Sequence, residues 1–250
     1  MRLDAEMARR GLAESRESAQ RLIMAGRVRI GTLTARKPDM KVTAETELTV
    51  IPGGPEYASR GAYKLIAALD HFGIDPTDRL AMDVGASTGG FTDVLLRRGA
   101  KRVIAIDVGY GQLVMRLRND PRVTVLDRMN IRLATPADMP HVPDLVTIDT
   151  SFISLRLVIP AVLTLAAPRA EIVALIKPQF EVGRRKVGKG GIVRKESHRQ
   201  EAVAGVVAFA ESIGLECIGT IESPIAGAAG NREYLALMKH SGKTEDPAGR

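Results

Sequence analysis

Leu80-Ala81-Met82-Asp83-Val84-Gly85-Ala86-Ser87-Thr88-Gly89-Gly90-Phe91 is the stretch that decides the fold. An apolar run of strand length ends at Val84, glycines crowd the turn, and a helix opens near Phe91. Glycines at a strand-to-helix turn permit a tight bend and let the backbone come close to a ligand. The spacing is not G-x-G-x-x-G, so the dinucleotide fingerprint is not met. No Lys-Ser/Thr follows, so the turn is not a Walker-type triphosphate cradle.

Outward from this turn, apolar runs recur at Val103–Ile106, Val123–Leu126, Leu145–Ile148 and Ile172–Ile176, with helical stretches between most of them. With Leu80–Val84 they read as strands buried on both faces. That rhythm predicts βαβ units, a Rossmann-like α/β domain with a parallel sheet and helices on both faces. A final strand is expected at Glu233–Met238. The domain is placed at residues 56–240, followed by a polar, flexible tail at 241–250.

Upstream, Leu3, Met7 and Leu12 mark a short amphipathic helix that stops at Gly11. Ser15 caps a second helix with Ala19, Leu22 and Ile23 on its apolar side, and Gly26 ends it. Val28 and Ile30 alternate with Arg27 and Arg29, which predicts a strand with a basic face. Val42 and Leu48–Val50 read as further strands. A small α+β domain is therefore expected over residues 1–50. Ile51-Pro52-Gly53-Gly54-Pro55 can continue neither helix nor strand and is read as the linker, residues 51–55.

The chain has 250 residues, enough for a medium domain and a small one, and 45% hydrophobic content supports an ordinary core. Aromatic residues make up 4% with no Trp, which argues against base stacking as the main nucleic-acid mode. The net charge of +7 suits polyanionic partners. From Arg184 to Arg199 seven basic residues stand against one acid, Glu196, in a Gly-rich stretch. That is a candidate phosphate-contacting loop, or else simply a solvated one. The single cysteine, Cys217, excludes an internal disulfide and reads as a buried structural thiol. With four scattered His, it leaves no expected metal site. The N-terminus, Met1-Arg2-Leu3-Asp4, has no apolar run of signal-peptide length, and no stretch reaches membrane-spanning length; Leu155–Ala167 is shorter than that and carries Arg156 and Pro160. A cytoplasmic location without stable membrane association is expected.

In a doubly wound sheet, ligands bind at the carboxyl ends of the strands. Asp107 ends the second strand beside the Gly-rich turn, where a carboxylate can accept both ribose hydroxyls of a nucleoside. Asp127 ends the third, near where an adenine would lie. Either acid can equally cap a loop. The turn has no fixed cation for a phosphate, so a nucleoside bearing a positive sulfonium suits it better. Asp149 ends the fourth strand and Lys177 the fifth. Lys64 sits on a helix after the linker, and Glu233 begins the last strand. Taken singly, each of these four is equally a surface charge.

The segments Ser59–Leu65 (SRGAYKL), Asp83–Asp93 (DVGASTGGFTD), Ile148–Leu155 (IDTSFISL), Leu175–Glu181 (LIKPQFE) and Gly230–Tyr234 (GNREY) strongly resemble the TlyA, or hemolysin-A-type, RNA methyltransferases. That family belongs with the FtsJ-like ribose 2′-O-methyltransferases. The first unit resembles the S-four-type RNA-binding domain through Arg2-Leu3-Asp4, Gly11-Leu12, Ser15-Arg16, Ala19, Leu22-Ile23 and Gly26-Arg27-Val28. One departure is Ile30-Gly31-Thr32, where many relatives carry Asn-Gly.

The resemblance implies S-adenosylmethionine as cofactor and ribosomal RNA or ribosomal subunits as partner, with cytidine as the modified nucleotide. It implies that Lys64, Asp149, Lys177 and Glu233 form a catalytic Lys-Asp-Lys-Glu tetrad. The expected cofactor site comprises Asp83, Gly85, Ala86, Ser87, Thr88, Gly89, Gly90, Phe91, Asp107, Asp127 and Asp149. Arg16, Arg27, Arg29, Arg60, Arg184, Arg185, Lys186 and Lys189 are the candidate RNA contacts. Three other readings compete: a non-catalytic ribosome-assembly factor with a vestigial donor fold, a membrane-lytic hemolysin, and a pseudouridine synthase. The intact tetrad, the missing membrane-spanning segment and the Gly-rich turn weigh against them in that order.

Overall fold

The computed structural model describes residues 1–24, 26–35, 37–51, 57–227 and 230–240. The expected tail at 241–250 and the expected linker beyond Ile51 lie outside the described residues. The chain divides into two compact units, residues 1–56 and 57–250.

The first unit contains α1 (Leu3–Arg9), α2 (Arg16–Met24), β1 (Val28–Ile30), β2 (Leu33–Thr34) and β3 (Leu48–Val50), with the antiparallel strand order β2-β1-β3. Gly11 and Gly26 close the two helices in the left-handed region, at φ +70° and +69°. There the Leu12 amide reaches the Met7 carbonyl at 2.9 Å, and that of Arg27 reaches Leu22 at 3.0 Å. The Ser15 hydroxyl accepts from the Ser18 amide at 3.1 Å, as its capping role requires. Leu3, Met7, Ala19, Ile23 and Val28 form the core. Val42 joins it, but not as a strand residue. Its amide donates to the Met1 carbonyl at 3.0 Å while its side chain is buried. One apolar residue signals burial without a ladder. The two-residue β2 is exposed, and its single apolar residue, Leu33, is too little to mark a strand.

This unit also buries two carboxylates, Asp4 and Glu6. Asp4 receives Arg2 Nε and Nη2 at 3.0 Å each, the Gln20 amide at 2.8 Å and the Ala5 N–H at 2.8 Å. Glu6 takes Arg9 and Arg10. The Arg2 guanidinium beside Asp4 and the Arg9 guanidinium beside Glu6 hold both carboxyls well below their usual range.

The second unit is a seven-stranded sheet of β4 (Leu80–Val84), β5 (Arg102–Asp107), β6 (Val123–Asp127), β7 (Leu145–Ile148), β8 (Glu171–Ile176), β9 (Leu215–Glu222) and β10 (Tyr234–His240). Its helices are α3 (Ala62–Phe72), α4 (Gly90–Arg97), α5 (Met115–Arg118), α6 (Leu155–Leu165), α7 (Pro178–Glu181) and α8 (Glu196–Ser212). The order is β6-β5-β4-β7-β8-β10-β9. Strands β4 to β8 are parallel as expected, but β10 runs antiparallel between β8 and β9, so the sheet is mixed. Alternate residues face opposite sides. Met82, Ile104, Val146 and Ile172 pack with Val158, Ile159 and Val162 of α6 and Val206 of α8. Ala81, Val103, Leu145 and Val173 pack with Leu65 and Leu69 of α3 and Val94 and Leu95 of α4.

The sequence reading missed β9. It is an edge strand that alternates buried or half-buried with exposed residues, diluted by Gly219 and flanked by acids. Cys217 therefore lies half-buried at the sheet edge rather than in the core, and burial raises its thiol pKa. The basic stretch is likewise not one loop. Two 3-10 turns, Arg184–Lys186 and Lys189–Gly191, lead into α8, which already contains Arg199. Arg199 is bonded to Glu196 and to the Val193 and Arg194 carbonyls.

Asp83 is fully buried on β4. It accepts the Thr92 amide at 2.8 Å, the Thr92 hydroxyl at 2.7 Å and the Thr147 hydroxyl at 3.1 Å. It thus ties α4 and β7 to the central strand. Burial pushes its carboxyl up to about 7, Asp149 adding to the rise and the Thr92 and Thr147 hydrogen bonds opposing it. The folded value exceeds the ordinary 3.8, so the folded state holds this proton more tightly. That contribution to stability is complete below the ordinary value and is lost as pH rises through about 7. Asp83→Asn removes the ionisation. The melting temperature of the variant relative to wild type is expected to climb between about pH 4 and pH 7 and to level off above that, whatever its constant offset. A difference that stays flat across that range would show that Asp83 does not titrate there.

Candidate active site

The turn after β4 is set by contact with the strand beside it. Gly85 has φ +87°, and its amide bonds the Ile106 carbonyl at 2.8 Å. A methyl group at Gly85 would lie 2.6 Å from the Asp149 carbonyl oxygen, so only glycine fits. This close approach places the glycine turn against the backbone of Asp149. Asp149 in turn lines three cavities at the carboxyl end of the sheet.

One cavity, about 240 Å³, lies over the glycine turn and the start of α4, with Ser59, Gly61, Ala86, Ser87, Thr88, Gly90 and Phe91 in its wall. A second, about 370 Å³, shares Gly85, Ser87 and Asp149 with it and extends past Asp107 to Met129, Asn130 and Ile131. Asp107 accepts the Ser87 amide at 2.8 Å and the Gly109 amide at 2.7 Å, which fixes its carboxylate at the rim of the turn. The Thr150 hydroxyl, in the wall of the second cavity, is buried without a partner. The glycine cradle, the anchored carboxylate, the apolar far wall and this unmatched hydroxyl fit a nucleoside with an amino-acid arm.

Three expected cofactor residues lie elsewhere. Asp83 is buried beneath the turn. Gly89 is in the left-handed region at φ +98° and packs under Leu113 and Leu117. Asp127 is turned toward Arg118 at 2.6 Å and the Gly111 amide at 3.2 Å. Burial raises its pKa, but these bonds outweigh that and leave it lowered. A strand-end acid thus serves a brace when a guanidinium is in reach.

The third cavity, about 430 Å³, brings together Lys64, Asp149, Lys177 and Glu233. Lys64 Nζ lies 2.5 Å from Glu233 Oε2, and Lys177 Nζ lies 2.6 Å from Asp149 Oδ1. Lys177 also donates to the Ser151 hydroxyl at 2.8 Å. Lys64, Lys177 and Glu233 are buried, so their charges must be mutually compensated. Gly227 backs the Glu233 carboxylate so closely that a side chain there would force the carboxylate to shift. Asn231 is buried and spans the wall, donating to the Gly191 carbonyl at 2.8 Å and accepting the Val193 amide at 2.9 Å.

Sequence reasoning missed Ser151, Phe152, Gln179, Asn231 and the Met129–Ile131 wall. All but the last lie inside motif segments whose charged members drew attention first. Phe152 sits at φ +63°, is 90% exposed and lines both larger cavities, with its ring centroid 5.2 Å from that of Phe180. Glu181 holds this loop to α7, accepting the Ser154 hydroxyl at 2.6 Å and the Leu155 amide at 2.8 Å. Of the expected RNA contacts, Arg29, Arg60, Arg184, Arg185 and Lys189 are exposed. Arg16 pairs with Asp4 at 3.5 Å, Arg27 with the Ile51 carbonyl at 2.7 Å, and Lys186 with Glu201.

Residues 57–240 match the family described as FtsJ-like methyltransferase, and residues 1–48 match the S4 domain. The chain is 50% identical to the 16S/23S rRNA (cytidine-2′-O)-methyltransferase TlyA of Mycobacterium tuberculosis, over 95% of this chain and 89% of that protein. It is 38% identical to Hemolysin A of Brachyspira hyodysenteriae, over 94% and 98%. A solved hemolysin-type structure from Streptococcus thermophilus superposes with TM-score 0.75 at 43% identity, covering 96% and 88%. No helix among the described residues is long and apolar enough to cross a membrane. The chain belongs to the TlyA family of FtsJ-like methyltransferases, which joins this catalytic unit to an N-terminal S4 domain.

Proposed function

We propose that the protein methylates the ribose 2′-hydroxyl of cytidine in ribosomal RNA, with S-adenosylmethionine as methyl donor, inside the cell where ribosomes are made. The observation that carries this reading is the pairing of Lys64 with Glu233 and of Lys177 with Asp149 in one cavity, whose Asp149 wall is shared with the donor-side cavities. A relative 50% identical over 95% of the chain bears the rRNA (cytidine-2′-O)-methyltransferase name.

S-adenosylmethionine, when bound, supplies an electrophilic methyl group on a positively charged sulfur. Gly85, Ala86, Ser87, Thr88, Gly90 and Phe91 would form its cradle, and Asp107 would accept its ribose hydroxyls. A ribose hydroxyl is a poor nucleophile and needs a group that orients it and takes its proton. Lys177 is the group placed to take that proton. Asp149 and Ser151 fix the Lys177 amine between two oxygens. Lys64 and Glu233, a mutually neutralised pair, position the acceptor ribose. Holding both reactants in near-attack geometry supplies much of the acceleration. Phe152 offers an exposed ring face to a base displaced from its stack. Arg29, Arg60, Arg184, Arg185 and Lys189 contact phosphates, while the S4 domain docks on folded rRNA.

Lys177→Ala is expected to lower single-turnover methylation of ribosomal subunits by roughly a hundred-fold or more while donor affinity is retained; near wild-type methylation would reject the proton-acceptor assignment. Gly227→Ala, by driving the Glu233 carboxylate off Lys64, should cost on the order of a hundred-fold in rate and, because it uncouples a buried ion pair, lower the melting temperature as well. Replacing Arg184, Arg185 and Lys189 by Ala should reduce the slope of log K against log salt for rRNA binding by about two to three, with donor binding intact. An unchanged slope would remove these side chains from the RNA interface.

A further inference from the structure

We infer that Gln179 reads the base edge of the acceptor nucleotide and selects cytosine over uracil; the inference rests on the ribose-methylation reading above. The wall of the acceptor cavity is almost fully committed. Lys64 is spent on Glu233, and Lys177 on Asp149 and Ser151. Asn231 uses its amide nitrogen on the Gly191 carbonyl and its oxygen on the Val193 amide. Phe152 and Phe180 present rings. Gln179 differs: its Oε1 is buried and has no hydrogen-bond partner.

A buried carbonyl oxygen without a donor is an unmet demand that native proteins seldom leave standing. Here it sits two residues from Lys177, at the start of α7. The backbone there is fixed by Pro178 and by the Phe180 amide bonding the Lys177 carbonyl at 2.9 Å. With the ribose hydroxyl at Lys177, the attached base falls within reach of the same wall.

A carboxamide offers one acceptor beside one donor group. Cytosine presents the complement on its Watson–Crick edge, the N4 amine beside the N3 lone pair. Uracil presents the reverse order, O4 beside N3–H, and pairs only with the amide turned over, which would put the amide nitrogen and its two hydrogens into the closed corner that Oε1 occupies. Gln179 is therefore a specificity-determining contact, distinct from the four charged residues that handle the hydroxyl.

The test uses the full-length protein on ribosomal subunits that lack the modification and carry either cytidine or uridine at the methylated position. Gln179→Ala should lower kcat/KM on cytidine subunits by roughly ten-fold or more and shrink the cytidine-to-uridine ratio by a similar factor, with S-adenosylmethionine affinity unchanged. Gln179→Met, close in shape and free of polar atoms, should do the same if the alanine variant folds poorly. A cytidine-to-uridine ratio equal to wild type in both variants overturns the inference even if overall activity falls, because packing damage slows both substrates alike. Ribose methylation by wild type on neither substrate overturns the underlying reading, and the inference with it.

Discussion

The close approach of Gly85 to Asp149 is the constraint on which the catalytic unit depends. β4 and β7 are adjacent parallel strands, and the Asp149 amide bonds the Val84 carbonyl at 2.9 Å. Glycine alone leaves room for the Asp149 carbonyl against the turn. That contact fixes the distance between the glycine turn and the carboxylate that holds Lys177. Any larger residue would push the two apart. Beneath the turn, Asp83 bonds Thr92 and Thr147, so the same strand end is braced from below as well as from the side.

Charge is handled by pairing. Two lysines and two carboxylates with low exposure share the acceptor cavity as neighbouring ion pairs, which lowers the penalty for removing each from water. The surrounding shell is polar and satisfied: Ser151 beneath Lys177, Asn231 across the loop at 191–193, and Glu181 between α7 and the start of α6. Such a network fixes rotamers, and fixed rotamers are what in-line transfer to a hydroxyl requires. The two unmatched polar atoms in the cavity walls, Thr150 Oγ1 and Gln179 Oε1, stand out against that background.

The small unit uses the same logic for a different end. Asp4 and Glu6 are buried and gather Arg2, Arg9, Arg10 and Arg16 about the first helix. Of the arginines expected to contact RNA, Arg16 is thus paired within the fold. Arg29, exposed on β1, is one of the side chains left outside that arrangement.

Much of the fold was legible in the order of residues because local rules govern it. Five apolar runs became parallel strands, and the glycines of the turn marked a strand-to-helix bend. Ser15, Gly11 and Gly26 ended helices by chemistry contained within a few residues. Edge strand β9 escaped because its alternation is interrupted by Gly219 and its outward face is polar, so little distinguishes it from a loop. At the active site, sequence determined which residue types stand at the strand ends, and the family motifs supplied the four charges. Only the tertiary structure decided that Lys64 meets Glu233 across 169 positions of chain, that Asp127 turns to Arg118, and that Gln179 is left without a partner. The reason is physical: backbone propensity acts over a few residues, whereas a charge or a hydrogen bond takes its meaning from whichever groups the sheet brings within about 3 Å of it.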